Sequence, residues 1–290
     1  MRQGEGEPLV LLHGVTSYEG VWKHVVPLLA PSYDTIAFSA LGHHGGTPAS
    51  ERPARIAHIV DDAERKLDEL GFDRVHLAGN SMGGWIAIEL ARRGRACTVC
   101  ALSPAGTWEP GTAHLGTRDA LRRMIKDARR SRRLLPLLMR SARMRRYGLA
   151  LNAVHGDRVT REDLLAQTDA ALDCAVLEDV LETDESIAAL DPPPCPVTLA
   201  WSEEDRVLPL ATLGERAKGL IPGARFVVLP GVGHVPMFDD PQLVVDTVLE
   251  SASAGGSGGG ASVSCAGVRG RERIRAVARG GETPGEVGRP

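Results

Sequence analysis

The chain has 290 residues, a formal net charge of −3 and 43% hydrophobic residues. These values suit one large folded domain with room for an insertion, and they exclude a collagen-like or low-complexity chain. No apolar run reaches the roughly 20 residues of a membrane-spanning helix. The opening Met1-Arg2-Gln3-Gly4-Glu5-Gly6-Glu7-Pro8 lacks the apolar centre of a signal peptide, so a cytoplasmic location is the default expectation.

Taken in chain order, short runs rich in Val, Leu and Ile occur at 9–12, 34–39, 75–79, 96–102, 196–201 and 225–229. Runs of this kind suit parallel strands buried on both faces. Segments 19–30, 54–70, 81–93, 210–220 and 241–251 read as helices. In 54–70, Ile56, Ile59, Val60, Ala63 and Leu67 share one face and Asp61, Glu64, Arg65 and Asp68 the other, and Gly71 marks a stop. Asp240-Pro241 reads as an N-cap followed by proline at the first helical position. This alternation predicts an α/β fold with a doubly wound, mostly parallel sheet. It breaks between Pro104 and Pro194, where helical periodicity continues without a convincing strand. The predicted organisation is a core of 1–106 and 192–250, a helical insertion at 107–191, and a Gly- and Arg-rich disordered tail at 251–290.

Five cysteines (Cys97, Cys100, Cys174, Cys195 and Cys265) form an odd, scattered set. They do not read as a disulfide framework. Cys97 and Cys100 have Cys-x-x-Cys spacing, but no second pair completes a zinc site. Buried thiols are expected, with no metal and no cofactor.

The most informative stretch is Val75-His76-Leu77-Ala78-Gly79-Asn80-Ser81-Met82-Gly83-Gly84. An apolar run ends in Gly-x-Ser-x-Gly and a helical pattern follows at once. That is the layout of a nucleophile elbow, a strained strand-to-helix turn presenting a serine hydroxyl. Gly79 and Gly83 lack Cβ atoms, which lets strand and helix approach closely. Three further segments add context: Leu9 to Ser17, containing His13-Gly14; Val197 to Pro209, a strand followed by an acidic loop; and Val227 to Pro241, where His234 follows a glycine-rich loop. Ser81 needs a base to accept its proton, and His234 is the candidate, since imidazole titrates near neutrality. Asp205 would orient that imidazole. Glu203 and Glu204 read as solvated loop charges, and His13 as structural. The backbone N–H of Met82, just after Ser81, is one candidate oxyanion donor.

Jointly, these four segments in this order resemble the α/β-hydrolase superfamily, in its serine-nucleophile branch with a helical cap, over roughly residues 7–250. The resemblance implies a Ser81-Asp205-His234 triad, the N–H of Val15 as the second oxyanion donor, and Gly14 as support for it. It also implies that the insertion forms a cap over the site. Two departures stand out. Family members carry a β-hairpin ahead of the strand at 9–12, whereas only eight residues precede Leu9 here. Either the natural start lies upstream, or two edge strands are missing and an edge is exposed. In Leu41-Gly42-His43-His44-Gly45-Gly46, His44 stands where the family has glycine, and Ser39 where it often has aspartate.

The insertion is basic. From Arg118 to Arg146 there are eleven arginines and one lysine against Asp119 and Asp127. Leu121, Ile125 and Ala128 share a helical face. The stretch reads first as a solvated arginine-rich surface, with a lid for an anionic substrate or a contact with anionic lipid as the alternatives. Without interleaved aromatic residues it does not read as a nucleic-acid surface. The expected reaction is hydrolysis of a small-molecule carboxylic ester through an acyl-serine. Thioester hydrolysis and carbon–carbon bond hydrolysis are the alternatives within the fold. The carbon–carbon hydrolases resemble the elbow but differ at Val15-Thr16-Ser17 and at Val235. A ligand receptor without turnover is the alternative of another class.

Overall fold

The computed structural model describes residues 1–110, 115–256 and 265, with side chains of 115–117 left aside. Its sheet has seven strands: β1 (Arg2–Gln3), β2 (Pro8–Leu12), β3 (Asp34–Ala37), β4 (Val75–Asn80), β5 (Ala96–Leu102), β6 (Val197–Ser202) and β7 (Arg225–Leu229). Their order across the sheet is β1-β3-β2-β4-β5-β6-β7. All neighbours are parallel except β1 and β3. The six runs expected from the sequence become β2 to β7, with ends displaced by two residues at most.

The helices of the first half are α1 (Val26–Leu29), α2 (Ile56–Glu69) and α3 (Met82–Arg92). Between β5 and β6 lie α4 (Leu115–Ser131), α5 (Leu135–Leu138), α6 (Ala142–Gly148), α7 (Arg161–Leu172) and α8 (Leu177–Leu181). No strand occurs among the described residues of this insert. After β6 come α9 (Glu215–Leu220), α10 (Pro236–Asp239) and α11 (Pro241–Ser253). Among the described residues, no helix is long and apolar enough to cross a membrane.

Alternation along each strand divides the core in two. On β2, Val10 and Leu12 face the cluster that holds α2 and α3, while Leu9 and Leu11 face the cluster that holds Trp22 and α11. On β5, Val99 and Ala101 take the first side and Cys100 and Leu102 the second. A period of two along a strand covered by helices on both faces produces this division. The buried face of α2 is Ile56, Ile59, Val60, Ala63 and Leu67, as its sequence pattern predicts. Its outward acids are not idle: Arg93 reaches Asp61 and Glu64, and Arg95 reaches Glu64 and Asp68. Asp240 caps α11 by accepting from the N–H of Leu243 at 3.0 Å.

Three expectations need correction. The residues before β2 do form an edge strand, although only two residues long. It is held by a two-pronged contact of Arg2 with Asp34 at 2.9 and 2.6 Å. The tail expected to be structureless over 251–290 is ordered at its start. Helix α11 continues to Ser253, a further turn spans Ala254–Gly256, and Cys265 is buried. Residues 257–264 and 266–290 lie outside the described residues. Cys265 is disulfide-bonded to Cys97, with Cα atoms 6.1 Å apart, so Cys97 is not the free thiol expected. The turn after α11 packs on β5, where Gly255 lies against Thr98. Cys100, Cys174 and Cys195 are buried free thiols; burial pushes them up to about 12, 11 and 11.

Candidate active site

The chain winds from β2 toward β3 on one side and then returns to place β4 on the other. The loops leaving β2 and β4 therefore diverge, which opens a crevice at the carboxyl ends of the strands. His13-Gly14-Val15 leaves from one side of that crevice and Ser81 from the other. A cavity partly open to solvent lies there. Its wall includes Gly14, Val15, Asn80, Ser81, Met82 and His234, together with insert residues from α4, α7 and α8.

Ser81 has φ 56° and ψ −117°, a conformation that L-residues rarely adopt. The surroundings enforce it. The Ser81 N–H donates to the carbonyl of Leu102 at 2.9 Å, and the Ser81 carbonyl accepts from Trp85 at 3.1 Å and Ala105 at 3.0 Å. A Cβ on Gly79 would lie 2.2 Å from the carbonyl oxygen of Gly83. One on Gly83 would lie 2.1 Å from the carbonyl oxygen of Leu12. Both glycines are sterically required, as the sequence argument predicts. A Cβ on Gly14 would meet the Cβ of Ser81 at 3.2 Å, so this position is tight as well.

His234 Nδ1 and Asp205 Oδ2 are 2.8 Å apart, and both residues are buried. The other carboxylate oxygen, Oδ1, accepts from the N–H groups of Val207 at 2.9 Å and Leu208 at 2.7 Å. These bonds leave Oδ2 free to face the imidazole. Glu203 and Glu204 are exposed, in line with the sequence reading. No hydrogen bond joins Ser81 Oγ to His234, but the two residues share the cavity wall. Such contacts commonly tighten only when substrate binds. Among the described residues, the N–H groups of Val15 and Met82 donate to no protein acceptor.

His13 is structural in its contacts. Its Nε2 accepts from the N–H of Ala40 at 2.9 Å, and its Nδ1 lies 2.8 Å from the carbonyl of Gly14, which assigns the proton to Nδ1. Burial, with neighbouring His43 adding to it, lowers its pKa to about 3. Burial likewise lowers His43 to about 4. Both imidazoles are therefore neutral at physiological pH.

Two supports escape sequence reasoning. Asn80 Nδ2 donates to the carbonyl of His234 at 2.9 Å, tying the elbow to the histidine loop. The buried Asp239 carboxylate accepts from Gly233 at 2.8 Å, Val154 at 3.1 Å and His155 at 2.6 Å, so it links the histidine loop to the insert. Asp239 and Asp240 are adjacent at a helix start, where one cap suffices. The surplus acid is the only signal the sequence carries.

A serine at a strained elbow, an imidazole fixed by a carboxylate and two unengaged N–H groups on one wall are the parts that acyl transfer needs. The family model for alpha/beta hydrolases matches residues 9–247.

The chain belongs to the alpha/beta hydrolase family.

This alpha/beta hydrolase is 32% identical over 215 residues to the epoxide hydrolase EphH of Mycobacterium tuberculosis, covering 66% of this chain and 92% of that protein. It is also 32% identical over 249 residues to a pimeloyl-[acyl-carrier protein] methyl ester esterase of Aromatoleum aromaticum, covering 81% and 93%. A thermophilic esterase from Thermogutta terrifontis superposes with a TM-score of 0.63 at 22% identity, covering 86% of this chain and 90% of that one. That last likeness speaks to the fold alone.

Proposed function

We propose that this alpha/beta hydrolase is a serine esterase that cleaves small carboxylic esters through an acyl-serine. The observation that carries the reading is the 2.8 Å contact between His234 Nδ1 and Asp205 Oδ2 on the wall that also holds Ser81. With the Nδ1 proton donated to Asp205, the Nε2 lone pair is left to act as base. Ser81 Oγ attacks the acyl carbon as its proton passes to Nε2. The oxyanion is held by the N–H groups of Val15 and Met82, donors of a kind worth about a hundred- to thousand-fold in rate. Collapse expels the alkoxide, which takes the proton back from His234. Water then repeats the sequence on the acyl-serine and releases the acid. The helices between β5 and β6 act as the cap, since they close one side of the cavity.

Similarity to an epoxide hydrolase raises the other reaction of this fold. Opening an epoxide by way of a covalent enzyme ester needs a carboxylate at the elbow. A serine would form an ether that water does not hydrolyse. Ser81 at that position therefore favours acyl transfer, and the methyl ester esterase relative agrees with it.

Turnover of 4-nitrophenyl esters from acetate to octanoate tests the reading. Measurable hydrolysis is expected on short and medium chains. Ser81→Ala should lower kcat by about 10⁴-fold or more. Turnover that survives Ser81→Ala would assign the chemistry elsewhere, and no turnover on any ester would favour a ligand receptor.

A further inference from the structure

The cavity wall carries an unbalanced charge. It is apolar along Ile56, Trp85, Trp108, Leu121, Val180 and Leu181. Among the described residues, its ionisable side chains are His234 and Arg118, and no acid lines it. Arg118 sits near the start of α4. Of the other arginines from Arg122 to Arg146 none lines the cavity, and several spend their charge elsewhere. Arg122, one turn on, pairs with Glu178 at 2.8 Å and Glu182 at 2.7 Å. Arg132 pairs with Asp169 at 2.7 Å. Arg145 donates to the carbonyls of Met139, Arg140 and Asp157. Arg118 has no such partner among the described residues, and its Nε is buried without an acceptor.

A guanidinium stays charged at any physiological pH. Arg118 is half-buried, with an apolar wall beside it and no counter-charge in the cavity, so an arriving anion supplies a partner the protein does not. A planar carboxylate matches its donors two at a time. One cation balances one negative charge, so a phosphate dianion would be left half neutralised. The apolar lining suits a methylene chain between that carboxylate and the reacting ester.

We propose that Arg118 binds a carboxylate on the substrate, so that the esters preferred are half-esters whose acyl chain ends in a free carboxylate. The substrate class rests on the esterase reading; the anion site itself does not.

The test compares mono-4-nitrophenyl adipate and suberate with 4-nitrophenyl hexanoate and octanoate. The wild-type ratio of kcat/KM, carboxylated over neutral, is expected to favour the half-ester. Arg118→Gln should lower that ratio by about 10- to 100-fold, the range of a charged hydrogen-bonded contact. Arg118→Lys should fall between the two, because it keeps the charge but loses the planar fork. Arg122→Gln, whose charge is already paired outside the cavity, should leave the ratio within about twofold. A ratio that Arg118→Gln does not change overturns the proposal while leaving the esterase reading intact. Calorimetry on Ser81→Ala separates the two failures. Monomethyl adipate binding more tightly than dimethyl adipate, with the difference lost on adding Arg118→Gln, supports the anion site even if no ester is turned over. Equal affinities overturn it.

Discussion

At the carboxyl ends of the strands, backbone and side chains are held with no slack. Gly79 and Gly83 admit no Cβ, Ser81 is locked in a strained conformation, and Asp205 is fixed by two N–H groups before it meets His234. The helical insert is built differently. Among its described residues Leu134, Leu137 and Tyr147 are exposed, Leu121 and Ile125 are buried, and most of its arginines face solvent or surface acids. The first region leaves almost no room for an added side chain. The second sends only a few side chains to the cavity. The contrast teaches where each proposal is to be tested: the esterase chemistry at the sheet, the substrate preference in the insert.

The contrast is broken most directly at Gly83. Gly83→Val places a Cβ only 2.1 Å from the Leu12 carbonyl oxygen. We expect a loss of at least about 3 kcal/mol of stability, read by denaturant unfolding, or failure to fold. A variant as stable and as active as wild type would show that the elbow is not rigid.

Asp239 is where the two regions meet, and its loss should have an intermediate effect. Asp239→Asn keeps one acceptor oxygen and turns the other into a donor facing N–H groups. A loss of about 1–3 kcal/mol is expected, with kcat/KM reduced by about tenfold as the His234 loop loosens. Intact kinetics beside a lowered Tm would confine Asp239 to holding the insert.

A pH dependence tests the loops at the carboxyl ends of the strands by themselves. Burial holds His13 and His43 neutral, with pKa values lowered from 6.5 to about 3 and about 4. Once unfolded, both protonate near 6.5, so the unfolded chain binds more protons as pH falls. Their contribution to stability is therefore full above about 6.5. It is lost toward pH 4 at about 1.4 kcal/mol per pH unit for each group. Tm measured from pH 7 to pH 5 should fall, and less steeply in His43→Gln. Identical slopes would remove His43 from the account.

Much of the sheet was legible because buried parallel strands are contiguous apolar runs, and the elbow because glycine spacing encodes a steric need. Ser81, His234 and Asp205 are each marked by what flanks them along the chain. The features that escaped all depend on distant partners. Asn80 reaches His234 across 154 positions, and Cys97 meets Cys265 across 168. Neither pairing leaves a local pattern. Arg118 could not be told from ten other arginines of the same stretch until the fold showed which one lines the cavity. Composition recorded the insert's charge and concealed which arginine lines the cavity.

The central claim is that Ser81 is a nucleophile activated by His234. Incubation with a fluorophosphonate, followed by mass spectrometry of the digest, tests it most directly. The account predicts a stoichiometric adduct on the peptide containing Ser81 that is lost in His234→Ala. Folded protein that stays unlabelled, or labelling undiminished by removal of the imidazole, would contradict it.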